Sequence, residues 1–392
     1  MNFFAIQTTK VTEENPEISI VIPCLNEVRT IAICVEKARL AFENLQLSGE
    51  IVVADNGSRD GSIEAAEKAG ARVVQVSASG YGAAIQGGVA ASKGAFIIMG
   101  DADDSYNFLE IKPFIDSWKA GSEFVMGNRF MGGIEKDAMP FLHRYLGNPV
   151  LSFIGRLFFQ NQFGDFHCGM RGFSKEAFDK MKLTTAGMEF ASEMVVKASL
   201  LNLPSAEVPV RLYKDGRGRP PHLNTWTDGW RHLRFLLLFS PRWLFFYPGL
   251  TFFFLGLLFS SLLLRSVIPF QSIRLDVSTL LYSNGLVLVG SQMIAFYIMS
   301  QAFARREGLS IQSGISLDWF QLERGLIVAG IFMLFGFWLS FSALHYWEIQ
   351  NFGPLNPQIV LRKVIPAVTS ILLGFQVATF SFFMSFLQIR KS

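Results

Sequence analysis

The pattern of hydrophobic and polar positions divides the chain into two unlike parts. Residues 1–230 alternate short apolar runs with polar segments, whereas Phe, Leu, Ile and Val dominate from Trp243 onward. In the first part we predict strands at 18–22, 50–54, 72–76 and 95–99, and helices at 28–47, 60–69 and 80–92. Strands that alternate with helices predict an α/β domain whose mostly parallel sheet is covered on both faces.

Four long stretches of the second part lack Asp, Glu, Lys and Arg. They lie between Arg242 and Arg265, Asp276 and Arg305, Arg324 and Glu348, and Lys363 and Arg390. Each is longer than the about 20 residues that cross a hydrocarbon core of about 30 Å. Four buried helices of a soluble protein are the alternative, but a soluble core rarely needs four such runs in succession. We therefore predict a four-helix transmembrane domain.

Basic residues at the ends of the spans predict the orientation. The flank before the first span carries Arg231, Arg234 and Arg242, and cytoplasmic flanks are rich in such residues. Arg362 and Lys363 oppose this rule. They lie between the third and the fourth predicted span, which places them on the outer side of the membrane. We predict an integral multi-pass protein of the cell inner membrane, with its soluble domain in the cytoplasm.

The segment ahead of the first span mixes basic residues with Trp226 and Trp230, which predicts an amphipathic helix lying in the membrane interface. The N-terminus is polar and lacks the apolar core of a secretory signal. The expected organisation along the chain is a tail (1–16), a soluble domain (17–224), the interfacial helix (225–242) and the transmembrane domain (243–389).

The composition favours a membrane protein and gives no sign of a nucleic-acid partner. Half of the chain is hydrophobic (50%) and the mean hydropathy is +0.32, which agrees with a membrane part. A net charge of only +3 gives no concentrated basic face, so we expect no nucleic-acid partner. Cys24, Cys34 and Cys168 lack paired metal-ligand spacing and are interpreted as reduced thiols.

Acidic and amide side chains follow three of the predicted strands. The segments are Pro-Cys-Leu-Asn-Glu at 23–27, Asp-Asn-Gly-Ser-Arg-Asp-Gly at 55–61 and Gly-Asp-Ala-Asp-Asp at 100–104. Ligands of parallel sheets bind beyond the carboxyl ends of the strands, at one edge of the sheet. We therefore expect these three segments to meet at a common site.

Three carboxylates crowd the last of these segments. Asp101, Asp103 and Asp104 repel one another unless a cation neutralises them, and hard oxygen ligands suit Mg²⁺ or Mn²⁺. Alternation along an extended segment puts Asp101 and Asp103 on one side and Asp104 on the other. We predict that Asp101 and Asp103 hold the metal of a nucleotide; a solvated acidic turn or a helix-capping cluster is the alternative.

Together these motifs resemble the family 2 glycosyltransferases, which have a GT-A fold, over residues 17–230. The resemblance also rests on Gly-Asn-Arg-Phe at 127–130 and Asp-Phe-His-Cys-Gly-Met-Arg-Gly-Phe at 165–173. Within the family the chain is most similar to the polyprenyl-phosphate glycosyltransferases, a group that includes dolichol-phosphate mannose synthase. The resemblance implies a GT-A (Rossmann-like) sheet domain followed by transmembrane helices.

The resemblance implies roles for residues at the edge of the sheet. Pro23 and Glu27 would line the nucleotide pocket, and Asp55 would accept a hydrogen bond from the base. Asp101 would contact the nucleotide or a metal-bound water, and Asp103 would ligate Mg²⁺ or Mn²⁺.

It also implies residues around the phosphates. Arg129 and Arg144 match arginines that the family places there, and a guanidinium can hold a phosphate bidentately. Glu193 matches an acidic residue facing the site, and Arg217 lies in a Gly/Pro-rich loop at 215–221 that is typical of a mobile lid. Surface salt bridges and an exposed helix carboxylate are the alternatives for these residues.

Two positions depart from family patterns. Ser105 stands where the polyprenyl-phosphate synthases often carry a Gln that joins the metal shell, and the neighbouring Asp104 is the candidate substitute. Phe239 stands where processive polysaccharide synthases carry the Gln of a Gln-x-x-Arg-Trp motif. The second departure argues against a cellulose- or hyaluronan-type polymerase.

The activity that the resemblance implies is metal-dependent, inverting transfer of a hexose from a UDP- or GDP-sugar to a polyprenyl phosphate, such as undecaprenyl or dolichyl phosphate. The expected partners are the nucleotide-sugar, the polyprenyl phosphate and the bilayer, and a homo-oligomer is left open. Another membrane-linked acceptor, a glycolipid or a polysaccharide, is the alternative. A transporter with a degenerate transferase domain is disfavoured because Asp101 and Asp103 are both present.

Overall fold

The computed structural model describes residues 16–218, 225–265, 267–270, 273–306 and 321–388, and divides the chain into two compact units, Met1–Phe239 and Ser240–Ser392. The strands of the first unit are β1 (Ile18–Cys24), β2 (Gly49–Asp55), β3 (Arg72–Gln75), β4 (Phe96–Met99), β5 (Phe124–Asn128), β6 (Arg171–Ser174) and β7 (Ser205–Pro209). Its helices are α1 (Ile31–Leu45), α2 (Ser62–Lys68), α3 (Tyr81–Ala91), α4 (Lys112–Lys119), α5 (Arg129–Gly132), α6 (Asn148–Phe159), α7 (Lys175–Met181), α8 (Phe190–Leu200) and α9 (Thr225–Leu238).

The strands of the first unit form one sheet in the order β3-β2-β1-β4-β6-β5-β7. Neighbours pair in parallel except around β6, which is antiparallel to both β4 and β5. Successive side chains of a strand point to opposite faces, and six of the seven residues of β1 are buried. Both faces of the sheet are therefore covered, and the predicted mostly parallel sheet is confirmed.

Helix α1 follows from the spacing of its apolar residues. Its buried side chains, Ile31, Cys34, Val35, Ala38, Ala41 and Phe42, recur every three or four positions and so share one face of the helix. The helix ends at Gln46, whose backbone adopts the left-handed conformation with φ of 52°. The polar residues between these positions lie on the opposite, solvated face.

Helix α3 lies directly on the sheet because of a glycine. A Cβ atom at Gly88 would lie 2.5 Å from Val21 Cγ1 and 3.0 Å from Ala54 Cβ, so a larger residue would push the helix away from β1 and β2. The close packing places the first residue of α3, Tyr81, at the edge of the sheet where the strands end. This position matters for the site described below.

The second unit contains α10 (Tyr247–Arg265), β8 (Ile268–Phe270), β9 (Ile273–Leu275), α11 (Val277–Arg306), α12 (Leu322–Ile349) and α13 (Pro357–Gln388). Among the described residues, four helices are long and apolar enough to cross a membrane: Arg242–Arg265, Val277–Arg306, Leu322–Ile349 and Pro357–Gln388. They match the four charge-free stretches of the sequence. The chain is a multi-pass membrane protein.

Close approach of backbones holds pairs of these helices together. A Cβ at Gly256 of α10 would lie 2.6 Å from the Ser283 carbonyl oxygen of α11, and one at Gly336 of α12 would lie 2.7 Å from the Ala367 carbonyl oxygen of α13. Small residues at such contacts are typical of membrane helices, which gain little from hydrophobic burial against each other.

Arg362, which opposes the charge rule for orientation, is neutralised within the second unit. Its Nη2 lies 2.5 Å from Asp276 Oδ1, and its Nε donates to the Leu263 carbonyl oxygen at 3.2 Å. Because the positive charge is balanced locally, this arginine carries little information about which side of the membrane it faces.

Candidate nucleotide and phosphate site

Asp55 shapes the loop that follows β2. It is buried, and its Oδ2 accepts hydrogen bonds from the backbone N–H groups of Gly57 (2.9 Å) and Ser58 (3.0 Å). Its Oδ1 accepts only a longer bond of 3.3 Å from Ser58. The carboxylate therefore stiffens its own loop, and Oδ1 retains capacity to accept a further hydrogen bond from a ligand.

The loop after β1 lies beside it. Glu27 is buried, and its backbone N–H donates to Ser62 Oγ at 2.8 Å, which joins the first loop to the start of α2. Pro23 is half-buried near the end of β1, two residues beyond Val21, where the pairing of β1 with β4 stops. Both residues thus lie at the edge of the sheet where the sequence analysis expected a ligand.

Asp101 follows β4 and is enclosed by two neighbours. Tyr81 donates its hydroxyl proton to Asp101 Oδ1 at 3.0 Å, and a Cβ at Gly169 would lie 2.4 Å from Oδ2, so only glycine leaves the carboxylate its place. Burial, and next the negative charge of Asp103, raise the pKa of Asp101 to about 6. Negative charge is therefore concentrated here, and a cation would stabilise the ionised form.

Asp103 lies next to a cation that belongs to the chain itself. Its Oδ1 accepts from the backbone N–H (3.0 Å) and the hydroxyl (2.6 Å) of Ser105, and its Oδ2 accepts from the Arg217 guanidinium. Arg217 Nη1 also lies 3.7 Å from Glu27 Oε1. Burial lowers the pKa of Arg217, but the charge and hydrogen bond of Asp103, together with the charges of Glu27 and Asp101, raise it above its ordinary value, so the guanidinium stays protonated.

The backbone fastens the segment that carries Arg217 to the acidic loop. The Gly216 N–H donates to the Asp103 carbonyl oxygen at 2.9 Å, and the Tyr213 N–H donates to the Ser105 carbonyl oxygen at 2.9 Å. Residues 219–221 of the predicted lid lie outside the described residues.

Asp104 is directed away from this pair. It has a left-handed backbone with φ of 61°, and its Oδ1 lies 2.6 Å from Lys37 Nζ on α1. Residues 102–104 form a turn and not the predicted extended segment, so the left-handed backbone, and not a strand-like alternation, separates Asp104 from Asp101 and Asp103. The Asp104 carboxylate is paired with Lys37, and the hydroxyl of Ser105 is bonded to Asp103.

The donor set fits a hard divalent cation that arrives with a nucleotide. In the described part of the chain, no group of three or more His, Cys, Asp or Glu side chains could hold a metal. Two carboxylates suffice for Mg²⁺, which usually completes its shell with water and substrate phosphate oxygens. Asp101 and Asp103 are the residues that would hold it.

Arg129 and Asp165 form a buried ion pair next to this edge. Arg129 Nε and Nη2 donate to the two carboxylate oxygens of Asp165 at 2.6 and 2.7 Å, and the Arg129 N–H donates at 3.1 Å. Asp165 is fully buried. Arg129 is therefore held rigidly, and two of its guanidinium nitrogens are already committed to a carboxylate.

Arg171 shapes the loop between α6 and β6. This arginine is fully buried and donates to three carbonyl oxygens, those of Cys168 (2.9 Å), Ala191 (2.6 Å) and Phe166 (3.0 Å). It fixes the turn that presses Gly169 against Asp101. The residues between Phe166 and Arg171, including His167, are thereby fixed beside the site.

Glu193 holds the loop at Thr184 and Thr185. Its carboxylate is buried and accepts hydrogen bonds of 2.6 to 3.1 Å from four donors, the backbone N–H and hydroxyl groups of these two threonines, and it lies 2.8 Å from Lys197 Nζ. Ala186, which follows Thr185, accepts with its carbonyl oxygen from the Ala83 N–H at 3.1 Å. Glu193 therefore holds the loop against which the start of α3 rests.

The contacts that the structure gives Arg144 are local ones. It is half-buried in a π-helical turn, His143–Gly147, with its guanidinium carbon 5.5 Å from the centre of the Tyr145 ring.

Sequence reasoning missed Tyr81, Asp165 and Arg171 as parts of this site. Tyr81 stands out in the sequence only as part of a glycine-flanked segment, and the other two lie in the motif at 165–173. Hydrogen bonds between distant segments assign their roles, and no spacing in the sequence reveals them.

Two family patterns match the chain. The pattern named Glycosyl transferase family 2 matches residues 19–182, and that named Glycosyltransferase family 2 C-terminal transmembrane region matches residues 298–388. The first covers β1 to β6 with the acidic loops, and the second covers the last part of α11 through α13.

Relatives match the chain over different lengths. The low-salt glycan biosynthesis hexosyltransferase Agl6 of Haloferax volcanii is 33% identical over 372 residues, which cover 94% of this chain and 88% of that protein. The dolichyl-phosphate hexose transferase of the same organism is 30% identical over 41% of this chain and 68% of its own length. The dolichol-phosphate mannosyltransferase of Mycosarcoma maydis is 26% identical over 50% of this chain and 71% of its own.

Proposed function

Because the chain belongs to glycosyl transferase family 2 and is a multi-pass membrane glycosyltransferase, we propose that it transfers a hexose from a nucleotide-sugar to a polyprenyl phosphate. The observation that carries the proposal is the carboxylate pair Asp101 and Asp103 beside Arg217, in a chain whose described residues include four helices long and apolar enough to cross a membrane. The names of two relatives, a dolichyl-phosphate hexose transferase and a dolichol-phosphate mannosyltransferase, support a lipid phosphate as the acceptor.

The donor would bind at the edge of the sheet. Asp55 Oδ1 retains capacity to accept from the base, and Pro23 and Glu27 border the same edge. Mg²⁺ or Mn²⁺ on Asp101 and Asp103 would offset the negative charge of the leaving diphosphate. Arg217 already pairs with Asp103 and would exchange this carboxylate for a diphosphate oxygen when the nucleotide binds.

The acceptor phosphate is itself a sufficient nucleophile. A phosphate monoester is largely ionised at neutral pH, so the reaction needs no strong general base, unlike transfer to a sugar hydroxyl. The protein's contribution is then position and charge. Arg129 and Arg144 would supply cations for the phosphates, and direct displacement at the anomeric carbon would invert its configuration.

Exposed apolar side chains on two neighbouring helices support a membrane-resident acceptor. Helix α9 contacts α6, and large residues are exposed on α9, on α6 and on the segment that leads into α6: Trp226, Trp230, Val150, Phe153, Leu157, Phe141, Tyr145 and Leu146. Large apolar side chains exposed next to one another usually mark a contact surface. Residues 239–241 alone separate α9 from the first span, which keeps α9 within reach of the bilayer surface. We propose that this surface, here called the α6/α9 face, lies in the headgroup layer.

The lipid explains why such a face would be needed. A polyprenyl chain cannot leave the bilayer without exposing many CH₂ groups at about 0.8 kcal/mol each. The enzyme must therefore reach a phosphate at the membrane surface. Exposed Arg231 and Arg234 on α9, and Arg305 and Arg306 at the end of α11, support a cytoplasmic position of the soluble unit in an inner membrane.

Single-cysteine labelling tests the α6/α9 face. All native cysteines are buried, so Phe153→Cys offers one reactive position for an environment-sensitive fluorophore. In liposomes that contain brominated lipids, the label on Phe153→Cys is expected to be quenched strongly, since bromine quenches only at short range. The face is assigned wrongly if that label fluoresces as in unbrominated liposomes.

Lys112→Cys is the matched control. Lys112 is 62% exposed on α4, outside the α6/α9 face, so its label should remain unquenched. The same variant reports the orientation: an impermeant maleimide should modify it in inside-out vesicles and leave it unmodified in intact cells. Modification in intact cells would place the soluble unit outside the cytoplasm.

A transfer assay tests the activity and its metal. The purified chain in detergent, with Mg²⁺, a polyprenyl phosphate and radiolabelled UDP- or GDP-sugars, should yield label in the organic phase with one donor. EDTA should reduce transfer to background and excess Mg²⁺ should restore it, because two carboxylates alone leave the diphosphate charge uncompensated. Unchanged activity in EDTA would refute the metal. Nucleotide-sugar binding without any lipid product would redirect the acceptor to a glycolipid or a polysaccharide.

A further inference from the structure

The imidazole nitrogens of His167 make no hydrogen bonds within the described residues. Both ring nitrogens are buried, and neither Nδ1 nor Nε2 has a hydrogen-bond partner within the described residues. Buried polar atoms without partners are rare because each loses its hydrogen bonds to water on folding. A ring with two such atoms therefore indicates a place where a ligand supplies the partners.

Charged groups surround this ring: Arg171 donates to three carbonyl oxygens, and Arg129 pairs with Asp165, whose Oδ1 also accepts from the His167 backbone N–H at 3.3 Å. Burial lowers the pKa of His167 well below its ordinary value, and next to it the charges of His232, Arg129 and Arg171 lower it further, so the ring is neutral at physiological pH. A neutral imidazole offers one N–H donor and one acceptor. The ring is also held in place, since it meets the His232 ring edge to face with the centroids 4.5 Å apart.

The charge of the surroundings decides which kind of ligand fits. A metal ion would meet the repulsion of Arg129 and Arg171, and the described histidines, cysteines and carboxylates form no cluster that could hold one. An anion would be attracted by both arginines and could accept the N–H of the ring. Phosphate oxygens carry negative charge and accept hydrogen bonds, so a phosphate would supply both features that this position lacks.

The position of the ring indicates which phosphate. On one side, Gly169, two residues along the chain, presses against the Asp101 carboxylate of the donor site. On the other side, His232 lies on α9, and its Nδ1 is 2.8 Å from Ser192 Oγ. Residues 239–241 join α9 to the first membrane span. His167 therefore lies between the donor carboxylates and the helix that leads to the membrane.

We propose that His167 binds the phosphate monoester of the acceptor, with Arg129 beside it, and orients that phosphate towards the donor. The inference rests on the proposed function and assigns a residue to its acceptor subsite. The ring nitrogen would donate to one phosphate oxygen and leave the attacking oxygen free. The family resemblance assigns no role to this residue, and the sequence alone favours a structural one.

Three variants of the full chain in detergent test the proposal. His167→Leu removes both ring nitrogens, His167→Gln keeps one donor and one acceptor, and His345→Gln changes an exposed histidine at the end of α12 that pairs with Glu348. Initial rates with a short-chain polyprenyl phosphate and the nucleotide-sugar give separate KM values for acceptor and donor. Thermal midpoints of the ligand-free proteins give the structural effect.

The expected result is a split between the two substrates. His167→Leu should raise the acceptor KM by about tenfold or more, as expected for a lost hydrogen bond to a charged group, and leave the donor KM unchanged. His167→Gln should restore part of the affinity, and His345→Gln should match the wild type. The ligand-free His167→Leu protein should melt no lower than the wild type, because it loses an unpartnered polar group.

Other outcomes overturn the proposal in distinguishable ways. A rise in the donor KM alone would assign the ring to the diphosphate of the nucleotide. A lower thermal midpoint with both KM values unchanged would make His167 a structural residue. Wild-type protein that binds the nucleotide-sugar but neither binds nor glycosylates a polyprenyl phosphate would refute the proposed function, and the acceptor subsite with it. If His167→Leu fails to fold, the acceptor KM of His167→Gln decides, and a value equal to that of the wild type contradicts the proposal.

Discussion

Asp103→Asn is expected to reduce hexose transfer by at least about 100-fold, the scale of losing one preorganised electrostatic contact to a transition state. Asparagine keeps the shape of the side chain and an oxygen for the Ser105 hydroxyl, which lies 2.6 Å from Oδ1. It removes the negative charge that would hold the divalent cation and that pairs with Arg217. Transfer to the lipid phase and binding of Mn²⁺, measured by electron paramagnetic resonance, should fall together.

Asp104→Asn is the matched control for this variant. Asp104 is the next acidic residue, but it pairs with Lys37 and its left-handed backbone suits asparagine. Its substitution should change transfer by less than about twofold, since an exposed or half-exposed ion pair contributes little. Equal losses in both variants would show that the general charge of the loop matters and that Asp103 has no particular metal role.

Asp165→Asn is expected to destabilise the first unit by about 3–5 kcal/mol, because it leaves the buried Arg129 charge without its counterion. The carboxylate is fully buried and accepts from Nε and Nη2 of Arg129 at 2.6 and 2.7 Å. For a domain of this size the loss corresponds to a decrease of roughly 6–20 °C in the thermal midpoint. Intrinsic fluorescence of the full chain during heating in detergent measures it.

Asp116→Asn provides the comparison. Asp116 pairs with Lys112 at 2.6 Å, the same separation, but both side chains are more than half exposed. This variant should melt like the wild type. Replacing both members of the buried pair, with Arg129→Met and Asp165→Leu, should recover part of the lost stability, because no uncompensated charge remains. A wild-type midpoint for Asp165→Asn would show that the pair contributes nothing to folding.

The parts of the fold that local patterns dictate could be predicted. Strand β1 and helices α1 and α3 appear within a few residues of the predicted bounds, because the spacing of apolar residues decides which face a strand or helix buries. The four spans are equally local, since a helix that crosses the hydrocarbon must satisfy its own backbone and carry apolar side chains throughout. The later strands β5, β6 and β7 were not predicted, and neither was the reversed direction of β6.

The candidate site divides in the same way. The order of strands and acidic loops implies that Asp55, Asp101 and Asp103 lie at one edge, because parallel strands end together. The left-handed backbone of Asp104 and its pairing with Lys37 separate it from them, and the sequence does not reveal either. The partner of each charged side chain could not be predicted, because the partners are far apart in the sequence. Arg217 is 114 residues from Asp103, and Asp165 is 36 residues from Arg129.

The sequence by itself thus determined the α/β class, the edge of the sheet that carries the acidic loops, and the four membrane spans, since each follows from periodicity or composition over a short window. Only the tertiary structure decided that Glu193 supports a loop, that Asp104 turns to Lys37, and that both ring nitrogens of His167 are buried without a hydrogen-bond partner in the described part of the chain. The physical reason is that a hydrogen bond or ion pair depends on atoms brought within about 3 Å. Folding alone brings together atoms from such distant parts of a chain.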